Sequence, residues 1–110
     1  NLNFKSSSVT QHANGSGSLT SSASFDIAAG QAVIAISIGA DGEERETLTF
    51  SGVTERTDVG LGPDAGSEAG AGTQTGCGDA TFAAASAGQS FSIVYDGQIF
   101  RTAAFTVFGP

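Results

Sequence analysis

Apolar and polar residues alternate along most of this chain, at the period of two that a strand with one buried face requires. Leu19, Ala23, Phe25 and Ile27 fall on one side of their run, with Thr20, Ser22, Ser24 and Asp26 opposite. Ile34, Ile36 and Ile38 alternate with Ala35 and Ser37, and Leu48 and Phe50 with Thr47 and Thr49. Phe91, Ile93 and Tyr95 repeat the pattern, and Phe105 and Val107 share one side of the closing run. Leu2 and Phe4 suit a strand at the start, and "DATFAAA" suits one centred on Phe82. The alternation predicts that Ile34, Ile36 and Ile38 enter one inter-sheet core with Phe91, Ile93 and Tyr95. On that reading Ile36→Asp would bury an unpaired charge and unfold the domain.

One phrase occurs twice. "AGQAVIAISIGADG" starts at Ala29 and "AGQSFSIVYDG" at Ala87, each following an alternating run. Each copy reads as strand, short glycine turn, strand, which is a β-hairpin or a tight corner between sheets. Ser51-Gly52 permits a further turn or bulge before Val53. No segment carries the i, i+3, i+4, i+7 stripe of an amphipathic helix, and "GADGEERE" is short and lacks an apolar face. In a single domain of 110 residues, strands at roughly ten-residue spacing predict an all-β fold. The expected architecture is an antiparallel β-sandwich of seven to eight strands, immunoglobulin-like or jelly-roll-like. Residues 1–18 are expected as a polar N-terminal arm or an added first strand. Residues 19–110 are expected as the sandwich, with a long glycine-rich loop at 61–78.

Composition sharpens this in two ways. With 39% hydrophobic residues and 16 glycines, the chain has enough apolar content to fold but a thin core. A domain so rich in small residues gains by pressing against neighbours, so a homo-oligomer is expected. The net charge of −7 leaves Lys5, Arg45, Arg56 and Arg101 too few and too scattered to form a basic stripe. Nucleic acid is therefore not an expected partner. No apolar run reaches the roughly 20 residues of a membrane-spanning helix, and none is expected to act as a membrane anchor. No signal peptide is visible, although the start at Asn1, without Met, reads as processed or truncated and leaves room for a leader.

Candidate chemistry is sparse. His12 is the one histidine and sits in the polar stretch "TQHANGSG", which offers no scaffold for a catalytic triad. Cys77 is the one cysteine, so it forms no intrachain disulfide, and "TQTGCGDA" supplies no base or cation to activate it. Asp41, Glu43, Glu44 and Glu46 are read as a solvated tip rather than a pair of carboxylates facing across a cleft. Asp41, Glu43, Asp64, Glu68, Asp79 and Asp96 are oxygen donors of the kind calcium takes, but no calcium-loop motif arranges them. "GLGPDAGSEAGAGTQTGCG" has the glycines of a phosphate loop without its Lys-Ser/Thr or a following helix. No catalytic, cofactor-binding or metal residue is assigned, and the chain is read as non-enzymatic.

From Ala29 to its end the chain resembles small β-sandwich modules found in virion proteins of tailed bacteriophages. The resemblance rests on "AGQAVIAISIG" after a glycine turn, "LTFSGVTERTDVG" with its Ser-Gly-Val-Thr kink, and the closing "TAAFTVFG". It implies a virion protein that decorates the capsid or forms part of a spike or fibre, with a major capsid protein as partner. The polar start, residues 1–18, resembles the arms by which capsid-bound proteins reach across neighbouring subunits. The alternative is a carbohydrate-binding or adhesive module of a secreted or surface protein. The absence of Trp and the presence of one Tyr, Tyr95, count against it.

Overall fold

The structure, a computed structural model, describes residues 3–12, 18–41, 48–61, 72–96 and 100–110. Eight strands run along them: β1 (Asn3–His12), β2 (Ser18–Ile27), β3 (Ala32–Asp41), β4 (Thr49–Ser51), β5 (Thr54–Leu61), β6 (Gly72–Thr81), β7 (Ser86–Asp96) and β8 (Phe100–Gly109). They form a five-stranded sheet in the order β1-β8-β3-β6-β5 and a three-stranded sheet in the order β2-β7-β4, with all pairs antiparallel. The fold is all-β, a sandwich of two sheets.

The pairing is nested. β1 lies along β8, β2 along β7 and β3 along β6, so the chain behaves as one long hairpin rolled across two sheets. This is the jelly-roll scheme rather than the immunoglobulin-like one. It departs from the scheme in β5, which joins the five-stranded sheet beside β6 instead of pairing with β4. Gly52, at φ 87°, makes the turn between them, and a side chain there would meet Phe91 Cδ1 at 2.8 Å.

Of the two Ala-Gly-Gln phrases one makes a corner of the roll and the other a bulge inside a strand, and neither makes a hairpin. The first is a turn carrying the chain from β2 in one sheet to β3 in the other, with Gly30 at φ 86° and Gln31 N bonded to the carbonyl of Ala28 at 3.2 Å. A glycine in that position is what a type II turn requires. The second is a bulge at the start of β7, where Ala87 and Gly88 stand opposite Asp26 alone. Gly88 has φ 62° and donates its N–H to Asp26 Oδ1 at 2.8 Å. The glutamines do matching work. Gln31 Oε1 accepts from Ala28 N at 2.8 Å, and Gln89 Oε1 accepts from Ser86 Oγ at 3.0 Å. Backbone bonds between Gly30 N and Phe82 O, and between Phe82 N and Gln31 O, tie the first turn to the end of β6.

The core is built around Phe91. Its ring lies 6.1 Å from Phe25, 6.1 Å edge-on from Phe82 and 6.4 Å from Phe105. Ile27, Val33, Ala35, Leu48, Ile93, Ala103 and Val107 complete the buried cluster. The expected inward faces of β2, β7 and β8 are those observed for Ile27, Phe91, Ile93, Phe105 and Val107. The expected face of β3 is reversed. Val33, Ala35 and Ser37 are buried, while Ile34, Ile36 and Ile38 are 39%, 41% and 56% exposed. The register gives the reason: Ala35 pairs with Phe105 and Val33 with Val107, and paired residues share a face. The rings of Phe91 and Phe105 fill the space between the sheets, so the central strand presents small side chains to them.

Two further expectations change. β6 begins at Gly72, so the loop expected at 61–78 does not extend over residues 72–78, and Phe82 lies past the strand once centred on it. Gly76 and Gly78 take inward positions of β6 because the 48–54 segment crosses there. A side chain at Gly76 would collide with Leu48 Cδ1, and one at Gly78 would lie 2.7 Å from the Thr54 carbonyl. Residues 3–12 run as a strand from the Asn3↔Gly109 pair to the His12↔Arg101 pair. Phe4 lies on the outer face of that strand, 64% exposed.

Candidate functional site: the outer sheet faces

The outer face of the five-stranded sheet takes its character from β3. Strand registers set its side chains in cross-strand rows. Val9, Ala104, Ile36, Cys77 and Thr57 form the middle row. Ser7, Thr106, Ile34, Asp79 and Thr54 lie on one side of it, and Gln11, Thr102, Ile38 and Thr75 on the other. Val9 is 61% exposed, so apolar surface continues from the sheet centre to the β1 edge.

Asp79 is the one charged residue in these three rows, and Arg56, the bulged residue of β5, cancels it through a bidentate contact. Nε meets Oδ2 at 3.1 Å and Nη2 meets Oδ1 at 3.0 Å. The hydrogen bond to Asp79, and then its charge, hold the Arg56 guanidinium above its ordinary range. The pair is exposed, so solvent screens it and its main effect is to leave these three rows without net charge. Cys77 lies in the same face with Sγ 3.2 Å from Thr57 Oγ1.

The outer face of the three-stranded sheet is different in kind. Ser22, Ser92 and Ser51 line up across β2, β7 and β4, with Ser24 opposite Ser90 in the next row. These serines, with Ala23 and Phe91, surround an open depression of about 320 Å³. It offers short hydroxyls at fixed strand spacing. Phe91 is buried and presents no ring face for stacking.

Arg101 is the buried cation of the structure's described part. It lies between the sheets and donates from Nη1 to Ser37 Oγ at 2.8 Å. Its place on β8, one strand from β3, makes it a structural part of the core, not a surface charge. Composition alone placed it among scattered cations; its alternation with Ala103, Phe105 and Val107 was the available signal.

The other candidate residues are not brought together by the described structure. Asp58 accepts from the Leu48 backbone N–H at 3.0 Å and so fixes the start of the 48–54 crossing. Among the described residues, no three of His, Cys, Asp and Glu cluster as metal ligands. Glu43, Glu44, Arg45, Glu46, Asp64 and Glu68 lie outside the described residues, as do the side chains of His12, Asp41, Tyr95 and Asp96. No helix among the described residues is long and apolar enough to cross a membrane.

Compared with known proteins, the chain matches no family model, no curated protein and no solved structure.

Proposed function

We propose that this chain is a structural module of a phage virion, non-enzymatic, which decorates or stabilises the capsid, or a spike or fibre, by docking in several copies. The observation that carries this reading is the exposed stripe of Ile34, Ile36 and Ile38 at the centre of a broad sheet face, in three rows whose one acid, Asp79, is paired with Arg56. Contiguous apolar patches of that kind mark contact surfaces. An open sheet face suits a protein surface better than a small substrate, which takes a concave site. The nested strand order supports the reading by analogy, since capsid domains use it, and lectins use it too.

The serine-lined depression favours the second reading, a carbohydrate-binding module, because hydroxyl rows can exchange hydrogen bonds with a glycan. The absence of a stacking ring there keeps it second. Mass spectrometry of phage particles purified from the source lysate decides between them. The virion reading expects many copies of the chain per particle. A chain absent from particles but retained on a glycan array overturns that reading in favour of the second.

A further inference from the structure

We infer that the outer face of the five-stranded sheet is a self-association surface, packing against the same face of a second copy about a two-fold axis that passes near Ile36. The inference deepens the docking reading above by naming the surface and its first occupant, and it rests on three observations.

The first is symmetry of placement. β3 is the middle strand of five, with β8 and β1 on one side and β6 and β5 on the other. Ile36 pairs with Ala104 on one side and Cys77 on the other, near the middle of the strand. A two-fold axis through that point lays five strands on five and sets Ile36 beside its own mate. Two-fold contacts are the commonest in homo-oligomers and need a surface that complements itself.

The second is charge. The chain carries a net −7, so copies repel wherever their acidic surfaces meet. The three cross-strand rows carry only Asp79, already cancelled by Arg56, and can therefore meet themselves without repulsion. A basic partner drawn by the acidity would find in these three rows only Asp79, already held by Arg56.

The third is area. Five strands at about 4.8 Å spacing span about 24 Å, and four outward rows about 6.8 Å apart, the three above and the row of Phe4, Phe108, Ala32 and Thr81 beside them, span about 27 Å. The product, roughly 650 Å², falls within the range of about 600–1,000 Å² that each partner contributes to a standard stable interface. Branched side chains standing about 10 Å apart across two aligned sheets interdigitate as in the core of a sandwich. Ile34, Ile36, Ile38 and Val9 supply them.

Sedimentation of the wild-type chain at tens of micromolar tests this directly. A dimer is expected. Ile36→Asp and the triple variant Ile34→Thr/Ile36→Thr/Ile38→Thr are both expected as monomers with unchanged far-ultraviolet circular dichroism. The threonines preserve strand propensity should the single charge disturb folding. In a Cys77→Ser background, Ile36→Cys is expected to yield a covalent dimer with a bismaleimide of about 10 Å reach. A monomeric wild type, a dimer that the folded variants leave intact, or a trimer, which a two-fold face cannot build, would overturn the inference. A monomer still present on purified particles removes this surface and leaves the virion role standing. A dimer missing from particles does the reverse.

Discussion

Ser21 and Ser37 are both fully buried between the sheets, and their hydroxyls stand in opposite circumstances. Ser37 Oγ accepts a hydrogen bond from the buried Arg101 guanidinium at 2.8 Å. Ser21 Oγ has no hydrogen-bond partner among the described residues. Removing an acceptor from a buried charge costs about 1–3 kcal/mol, whereas removing an unsatisfied buried hydroxyl relieves a desolvation penalty. Ser37→Ala is therefore expected to lower the urea midpoint, and Ser21→Ala to leave it unchanged or raise it. Equal losses in the two variants would show that the Arg101–Ser37 bond carries no special weight. The same scale explains where the sequence pattern stops short. Alternation along 33–38 identifies a strand with two unlike faces, but it cannot say which face is inside. Hydrophobicity chose the isoleucines. The core chose Val33, Ala35 and Ser37, because Phe91 of the facing sheet and Phe105 of the neighbouring strand take the volume there and because Ser37 Oγ accepts from Arg101. Both reasons lie on strands far away in the chain.

At the scale of elements, strand existence was legible wherever large apolar residues alternate, and obscured where glycine takes the inward positions. β6 shows this. Its inward residues Gly76 and Gly78 alternate at the strand period with Thr75, Cys77 and Asp79, but composition reads "TGCGD" as loop. The partner that fills the glycine space, the 48–54 crossing, comes from another part of the chain. The repeated phrase shows a related limit: its glycines were legible as turns, but sheet pairing decides that one makes a corner and the other a bulge. At Gly88 the positive φ is the whole constraint, since a side chain there would meet nothing within 4 Å. Asn adopts that backbone region more readily than a β-branched residue does. Gly88→Asn is thus expected to melt close to wild type, and Gly88→Val several degrees lower, on thermal unfolding followed by circular dichroism. A Val variant as stable as the Asn one would refute the φ argument. Deletion of residues 1–8 has a similar test. As a free arm they would be dispensable to folding, but residues 3–8 pair with β8, and removing them bares its edge. The truncated chain is expected to melt lower and to aggregate on standing, and one with unchanged melting would show that β1 adds nothing.

At the scale of the whole molecule, two properties pull against each other. The chain is strongly acidic, and the exposed large apolar side chains of its described part lie on one sheet face. Long-range repulsion keeps copies apart at low ionic strength, while the face that would join them carries only the Arg56–Asp79 pair as charge in its three rows. Salt separates these contributions, since the screening length falls from about 30 Å at 0.01 M to about 3 Å at 1 M. Across that range the repulsion between two net-negative copies is largely removed, and the apolar contact is left in place or strengthened. Self-association through this face is therefore expected to tighten steadily with sodium chloride, with the dimer dissociation constant falling between about 0.01 M and 1 M. A contact held by ion pairs between acidic edges and the few cations would respond the other way, loosening as salt screens it. Sedimentation equilibrium at several salt concentrations reads the sign directly. A dissociation constant that rises with salt would show that charge pairing, and not the isoleucine face, brings the copies together.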